Sequence, residues 1–251
     1  MIFDTHAHLN FKNYDKDREE LIKKTLEKDV GVINVGADFK TSKKAVEIAQ
    51  NHKNIYATVG IHPSHAKEEV RIEKLKKLAQ NEKVVAIGEI GLDYYRNPNE
   101  KEVKRQKEIL LKQIELAEEL DLPLVLHCRK AHPDMLSLLS DKKIKGVVHC
   151  FSGDWETAQK YLDLGLYLGF NGIIYKNPYS EKVIEKISLS KMLVETDCPF
   201  LLPPEVEEKR NEPINTRYII KEIARIKNLK EEEVEKQTTK NAKKLFKLNH
   251  H

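Results

Sequence analysis

Eight short apolar runs divide the chain, and each is followed by a charged segment whose apolar residues recur at helical spacing. Strands that alternate with amphipathic helices predict a parallel sheet, and eight such units predict its closure into a barrel. The sequence therefore predicts an α/β fold of the (β/α)8 TIM type. The runs span residues 2–8, 30–36, 54–61, 84–89, 123–128, 145–150, 166–171 and 191–196.

Two further helical stretches are predicted beyond the eighth run, at about 215–227 and 231–247. The chain has 251 residues, which matches the usual length of one barrel of this type. We see no internal repeat or low-complexity linker, and therefore expect residues 1–251 to form a single domain with extra C-terminal helices. The terminal His250 and His251 are excluded from any site, because they could belong to a tag.

Composition predicts an ordinary globular protein. Hydrophobic residues make up 40% and charged residues 33% of the chain, and no apolar run approaches the roughly 20 residues needed to cross a bilayer. The first apolar run begins at Ile2, so we read no secretory signal and expect a cytoplasmic protein, with a monomer favoured. Net charge is only +4, so no polybasic tail points to a partner.

Side chains of the kind that binds metal ions fall at the downstream ends of five of these runs. Residues so far apart in sequence can share one site if their strands are parallel and end at the same face of a barrel. His6 and His8 are two residues apart on one strand, so both imidazoles can converge on one cation, and Asp4 could orient one of them. The six candidates are His6, His8, Glu89, His127, His149 and Asp197.

Glu89 would be a carboxylate at the mouth of an apolar strand, where burial is costly unless the group is paired or coordinated. Its two oxygens can bridge two cations at the roughly 3.5–4 Å spacing used in two-metal hydrolysis. The alternative is a salt bridge at the strand end, for example with Arg96. The set predicts a two-metal hydrolase. Four histidines favour Zn²⁺ or Mn²⁺, whereas Mg²⁺ prefers oxygen ligands.

The three cysteines, Cys128, Cys150 and Cys198, each follow one of the candidate ligands directly. Adjacent residues of a strand point to opposite faces, so we expect the thiols to face the surrounding helices as small buried apolar groups. Thiolate ligation is the less favoured alternative, because adjacent strand residues do not easily reach one metal ion.

Short motifs from the first run to beyond the eighth support a more specific interpretation. In their order and spacing they resemble the TatD family of metal-dependent deoxyribonucleases, within the wider amidohydrolase-like barrels. The resemblance implies a TIM-type barrel with two divalent cations (Mg²⁺, Mn²⁺ or Zn²⁺), one held by His6, His8, Glu89 and Asp197 and the other by Glu89, His127 and His149. The motifs are DTHAHL (4–9), GIHP (60–63), GEIGLDY (88–94), HCRKA (127–131), HCFSG (149–153), FNGIIYKN (170–177), ETDCPFL (195–201) and KRNEP (209–213).

The resemblance also implies an activity, the hydrolysis of DNA phosphodiester bonds at a single-stranded or frayed 3′ end. Our interpretation is that a metal-activated hydroxide attacks phosphorus and that Asp197 accepts its proton. Glu89 bridges the cations, and His62, in GIHP, donates to a phosphate oxygen or assists the leaving group. DNA is therefore the expected partner.

Candidate substrate contacts lie near the same mouth. Arg129, two residues beyond His127, could present paired N–H donors to a phosphate, with a rim salt bridge as the alternative. Arg210, beside Lys209 and Asn211, lies on the loop after the eighth run. Three aromatic residues could stack on an unpaired base, although most aromatic residues in proteins are core. They are Tyr94, Phe151 and Trp155.

Two other functions stay open. The resemblance leaves room for ester cleavage on D-aminoacyl-tRNA at the same metal site, and the barrel could instead bind nucleic acid without catalysis. Lys130 stands where family members often carry an acidic residue, and KRNEP lacks the glycine that often precedes it. These departures leave the substrate preference open, whereas all six candidate ligands are present.

Overall fold

A computed structural model of the protein describes residues 1–67 and 70–248, so the terminal histidines lie outside the described residues. One eight-stranded sheet forms its centre, with strands in chain order and every neighbouring pair parallel. The first and last strands meet where Ala7 pairs with Cys198, which brings the sheet close to closure. The strands are β1 (Ile2–Ala7), β2 (Val30–Val35), β3 (Ile55–Val59), β4 (Val84–Asp93), β5 (Leu124–Arg129), β6 (Gly146–Val148), β7 (Tyr167–Phe170) and β8 (Met192–Val194).

Helices alternate with these strands, so the predicted TIM-type barrel is confirmed. Each of the first seven strands is followed by one α-helix, and β8 is followed by two, as the sequence predicts. That residues 1–251 form a single domain stays a prediction. The helices are α1 (Arg18–Glu27), α2 (Phe39–Asn51), α3 (Ile72–Ala79), α4 (Glu100–Glu119), α5 (His132–Leu139), α6 (Trp155–Asp163), α7 (Ser180–Lys186), α8 (Thr216–Lys227) and α9 (Glu231–Leu245).

Side-chain caps fix where several helices begin. Asp38 accepts a hydrogen bond from the backbone N–H of Thr41 at the start of α2, and Asp154 accepts one from Thr157 at the start of α6. Such caps satisfy backbone donors that have no partner within the helix. In the described part of the chain, no helix is long and apolar enough to cross a membrane.

The barrel interior is apolar near the N-terminal ends of the strands. Buried side chains from seven strands form one cluster there, together with residues of α9 and the segment after it. The C-terminal segment therefore covers this end of the barrel, and the opposite end carries the polar residues. The strand residues include Phe3, Ile33, Val85, Val125, Val147 and Leu193, and the C-terminal residues are Ala242, Leu245, Phe246 and Leu248.

The course of β4 differs from the prediction. The sequence places Glu89 at the end of the fourth run, but β4 continues to Asp93, so this boundary is wrong. The pairing register of β4 with β5 shifts between Gly88 and Ile90, and the strand then pairs onward until Asp93 faces Arg129. Ile90 and Leu92 are fully buried, and their burial extends the strand beyond the charged residue.

Candidate metal centre

Four side chains converge at the C-terminal end of the barrel. The Nε2 atoms of His6 and His8 lie 3.3 Å apart, and His8 Nε2 lies 3.4 Å from Asp197 Oδ1. His6 Nε2 lies 3.5 Å from Glu89 Oε2. A tetrahedron with metal–ligand bonds of about 2.1 Å has edges of about 3.4 Å. His6, His8 and Glu89 thus form a group that could hold one divalent cation, and Asp197 borders this group beside His8.

A second group forms on the other oxygen of the same carboxylate. Glu89 Oε1 lies 2.8 Å from both His127 Nδ1 and His149 Nε2, and these two nitrogens are 3.2 Å apart. Each of the three residues offers one donor atom to the same point. The structure thus brings together all six residues that the sequence predicts as ligands, with Glu89 between two groups of histidines.

Glu89 is 5% exposed, and its ion pairs are with histidines, not with Arg96. Burial by itself raises the pKa of this carboxyl group, but the charge of His149 and hydrogen bonds from His127 and His149 lower it well below its usual value. The carboxylate is therefore ionised in its buried position, as a metal ligand must be.

Hydrogen bonds on the far side of the imidazole rings orient His8 and His127, and a carboxylate faces the far side of His149. His8 Nδ1 lies 2.9 Å from the carbonyl oxygen of Val35, to which it donates, so Nε2 is the free donor atom toward the cluster. His127 Nε2 lies 3.2 Å from Asp93 Oδ2. His149 Nδ1 lies 3.4 Å from Glu195 Oε1. Carboxylates in this position fix the ring orientation and raise the basicity of a ligand.

Sequence reasoning missed Asp93 and Glu195 as part of the site. Both stand in motifs that also contain a candidate ligand, Glu89 or Asp197, and that proximity is the signal that could have identified them. Glu195 is fully buried and its Oε1 atom also accepts from the backbone N–H of Cys150 at 2.8 Å. Its Oε2 atom is buried without a hydrogen-bond partner among the described residues.

Asp4 contacts a candidate ligand, His6, through the backbone. Its carboxylate oxygens accept from the backbone N–H of His6 at 3.2 Å and from the N–H of Thr196 at 2.9 Å, and they pair with the Thr196 hydroxyl at 2.6 Å. Asp4 therefore holds His6 through its backbone N–H and not through the imidazole ring. The pairing register is irregular between Asp4 and Ala7, which turns Asp4 toward the chain after β8. Asp4 also joins the first strand to that segment.

His62 borders the second group. Its Nε2 atom lies 3.5 Å from Glu89 Oε1, and its Nδ1 atom accepts from the backbone N–H of Ser64 at 3.1 Å. Burial lowers the pKa of His62 to about 3, so the ring is neutral at physiological pH. Because Nδ1 accepts, the proton of the neutral ring is on Nε2, which faces the cluster.

The cysteine prediction holds for two of the three residues. Cys128 and Cys198 are buried, and Cys128 Sγ accepts from the Tyr161 hydroxyl of α6 at 3.4 Å. Cys128 and Cys150 both border the cavity above the metal-binding residues. Cys150 is only half-buried, with its Sγ 3.6 Å from Asn171 Oδ1, so the prediction of a buried thiol against the helices is wrong there. β6 ends at Val148, and Cys150 has a φ of 47°, so the alternation of a strand no longer applies.

A cavity of about 510 Å³ opens above the cluster. Arg129 lies on its wall, with its guanidinium stacked 3.6 Å from the centre of the exposed Tyr95 ring. Phe11 and Phe200 form another part of the wall. Phe11 stacks on His8 with 4.3 Å between ring centres, and Phe200 is 49% exposed. Sequence reasoning did not single out either phenylalanine.

The other predicted substrate contacts do not line this cavity. Arg210 makes a bidentate pair with Asp17 and lies over the Tyr14 ring. Phe151 is only 2% exposed and packs in the core, where it cannot stack on a base. The Tyr94 hydroxyl donates to Asp134 at 2.7 Å. Trp155 packs partly against the core, under Lys186.

Comparisons with known proteins agree with this geometry. Residues 3–247 match the model of the family described as TatD related DNase. The chain is 41% identical to a Bacillus subtilis protein named as the uncharacterized metal-dependent hydrolase YabD, over 99% of this chain and 100% of the relative. It is 35% identical to the 3′-5′ ssDNA/RNA exonuclease TatD of Erwinia tasmaniensis, over 98% of this chain and 100% of that protein.

A solved structure gives the same result for the fold. The TatD homolog YjjV from Escherichia coli K12 superposes with a TM-score of 0.91 at 27% identity, over 99% of this chain and 98% of YjjV. The six-residue cluster lies at the open end of this shared barrel. The chain therefore belongs to the TatD-related DNase family of metal-dependent hydrolases.

Proposed function

We propose that this protein is a deoxyribonuclease that hydrolyses phosphodiester bonds with two divalent cations, as an exonuclease at single-stranded or frayed 3′ ends. The observation that carries the proposal is the placement of Glu89. One carboxylate oxygen faces His6, and the other faces His127 and His149. A bridging carboxylate between two nitrogen-rich groups is the arrangement that two-metal phosphodiester hydrolysis uses.

His6, His8, Asp197 and Glu89 would hold one cation, and Glu89, His127 and His149 the other. When bound, the two cations supply a more acidic water and positive charge for the phosphate oxygens. Asp93 and Glu195 hold the rings of His127 and His149 in place, at 3.2 and 3.4 Å.

Asp197 is suited to take the proton of the attacking water. It follows β8 at the open end of the barrel, and its side chain is 16% exposed. Oδ1 lies 3.4 Å from His8 Nε2, which leaves Oδ2 for the water. Burial alone raises the pKa of Asp197, but His8 and His6 lower it, so the carboxylate starts ionised.

His62 and Arg129 are suited to bind the leaving oxygen and the phosphate. The neutral His62 ring carries its proton on Nε2, facing the cluster, where it can donate a hydrogen bond to the departing oxygen. The Arg129 guanidinium offers N–H groups to a non-bridging phosphate oxygen. In the overall step the water oxygen bonds to phosphorus and the bond from phosphorus to the leaving oxygen breaks. That oxygen takes a proton from solvent water, and Asp197 returns to solvent the proton that it accepted.

Polarity and strand preference draw support from the Erwinia relative, which is named as a 3′-5′ exonuclease for single-stranded DNA and RNA. The test uses strands labelled at the 5′ or the 3′ end, with Mg²⁺, Mn²⁺ and Zn²⁺ in turn. We expect a ladder of shortened products from the 5′-labelled strand and immediate release of a labelled mononucleotide from the 3′-labelled strand. Duplex DNA should be cut more slowly than frayed DNA, and Glu89→Gln should be inactive.

A parallel assay with D-aminoacyl-tRNA separates the proposal from ester cleavage. Deacylation of this substrate, with no shortening of any DNA strand under any of the three metals, would replace the nuclease by an esterase. Tight DNA binding with no turnover of either substrate would point to a non-catalytic barrel.

A further inference from the structure

A side groove continues the cavity on its His62 side. It has a volume of about 350 Å³, and its walls include His62, Ser64, Asp93 and Arg129, which also line the metal-binding cavity. Beyond these shared residues it extends along Tyr95 and Arg96. The groove therefore lies directly beside the cavity over the cluster, within reach of a linear substrate bound there.

Arg129 and Tyr95 form a fixed cationic surface at the junction. The guanidinium carbon lies 3.6 Å from the centre of the Tyr95 ring, a distance at which the two planar groups stack. Stacking occupies one face of the guanidinium and leaves its N–H edges available. Within residues 1–67 and 70–248, Arg129 makes no ion pair with a carboxylate. An anion in the groove can therefore bind it without displacing a protein partner.

Arg96 adds a second available cation. It is exposed on the groove wall next to Tyr95, and in the described part of the chain it also makes no ion pair with a carboxylate. Other cations of the groove are already engaged: Lys67 with Glu102 at 2.6 Å, and Arg105 with Glu108 at 3.6 Å. Two guanidinium groups beside an exposed aromatic ring match the chemistry of a nucleotide phosphate and its base.

The remaining wall of the cavity has a different character. Phe11 and Phe200 lie beside His8, and Ile173 and Leu201 complete an apolar surface there. Arg129 is the only lysine or arginine among the described residues that line the cavity. The negatively charged backbone of a strand is therefore expected to leave the cluster through the side groove, and not across the phenylalanines.

We propose that the side groove is a subsite for the nucleotide next to the scissile phosphate, with Arg96 on its phosphate, Tyr95 beside its base, and Arg129 at the junction with the scissile phosphate. The ligand class is a single-stranded oligonucleotide with at least two phosphates. This inference rests on the proposed nuclease function, because the groove adjoins the same cluster. Beyond that function, the subsite predicts that the enzyme prefers substrates with a second phosphate over substrates with a single phosphodiester.

The test compares two substrates on Arg96→Ala and Tyr95→Ala. One is bis(p-nitrophenyl) phosphate, which has a single phosphate, and the other is an eight-residue oligothymidylate. Loss of one stacked base typically costs about 1–3 kcal/mol, which corresponds to roughly 5- to 150-fold in kcat/KM. We expect a loss in that range on the oligonucleotide and a much smaller one on the single phosphodiester. Tyr95→Phe should retain the preference, since it keeps the ring.

Tyr179→Ala is the matched control, because Tyr179 is exposed to a similar extent (53% against 49% for Tyr95) and does not line the groove. It should behave as the unchanged protein on both substrates. Equal losses on both substrates, or none on the oligonucleotide, would overturn the subsite.

A binding measurement distinguishes a failure of the subsite proposal from a failure of the nuclease proposal. Fluorescence anisotropy of a phosphorothioate oligothymidylate on the metal-loaded protein reports the groove without turnover. If no phosphodiester is hydrolysed but Arg96→Ala still weakens binding, the groove is upheld and the nuclease is not. If hydrolysis proceeds and neither variant weakens binding, the nuclease is upheld and the groove is not.

Discussion

Oε1 of Glu89 lies 2.8 Å from Nε2 of His149, within the second candidate metal position. The other oxygen of the same carboxylate lies 3.5 Å from His6 Nε2. Burial alone would lower the pKa of His149, but the charge of Glu89 and the contact with Glu195 raise it well above its usual value. In the absence of cations, the charge of Glu89 is thus compensated by a protonated histidine.

Glu89→Ala is expected to lower metal occupancy at both positions. Elemental analysis of the unchanged protein should approach two cations per chain at saturation, because each position has its own donor set. The variant removes one ligand from each set, so metal binding should weaken at both positions. Glu82→Ala, at an exposed surface position, is the control and should bind as the unchanged protein does. A stoichiometry that stays at one in the unchanged protein would rule out the bridging role.

Glu195→Gln tests the support behind His149. The variant removes the negative charge near His149 Nδ1 while preserving side-chain shape, so packing is largely retained. Loss of such a supporting carboxylate typically lowers metal affinity by roughly 10- to 100-fold. Titration calorimetry should show this weakening, with the thermal midpoint of the metal-free protein changed much less. Unchanged affinity at both positions would mean that packing alone orients His149.

The candidate ligands could be predicted from sequence because parallel strands of a barrel end at one face. His6, His127 and Asp197 follow apolar runs in a regular order, so their convergence needs no knowledge of side-chain contacts. Their supporting carboxylates depend on contacts between different strands, such as Asp93 with His127, which spacing along the chain does not encode.

Local backbone geometry explains why the predictions for Cys150 and Phe151 were wrong. Cys150 leaves the strand conformation at the end of β6, so its side chain turns toward the cavity. Phe151 is drawn into the core, where it packs edge-to-face on Tyr161 at 6.2 Å. Alternation along a strand predicts neither position, because β6 ends at Val148, before both residues.

Asp4→Ala should destabilise the junction between β1 and the segment after β8. The change leaves the backbone N–H groups of Thr196 and His6 buried without their acceptor, and each such group costs about 1–3 kcal/mol. Chemical denaturation of the metal-free protein should show a lower free energy of unfolding. Asp4→Asn keeps one oxygen acceptor and should lose less. Equal stability of Asp4→Ala and the unchanged protein would show that water satisfies these groups.

Arg129 and Arg210 should differ in their effect on DNA binding. Arg129 faces the cavity without an ion pair among the described residues, whereas Arg210 is held by Asp17. Each phosphate contact on a single strand contributes a slope of about −0.7 in log K against log salt. Arg129→Ala should reduce the slope by nearly one contact, and Arg210→Ala should leave it unchanged. A reduced slope in Arg210→Ala, with an unchanged slope in Arg129→Ala, would show that the ion pair between Arg210 and Asp17 opens when DNA binds.

Asp197→Asn separates metal holding from proton transfer. Asp197 is held at the open end of the barrel by a hydrogen bond from its backbone N–H to the carbonyl oxygen of His6, so the position of the side chain does not depend on its charge. Asparagine keeps the shape and a neutral oxygen near His8, but it has no site that can accept a proton at neutral pH. Positioned acid–base groups typically contribute about 10²- to 10⁴-fold, so kcat should fall by at least that range. DNA affinity should change far less, because phosphate is bound mainly by other groups.

The measurement for Asp197→Asn is single-turnover hydrolysis with metal content confirmed for both proteins. Turnover close to that of the unchanged protein, at equal metal content, would assign the proton to another group.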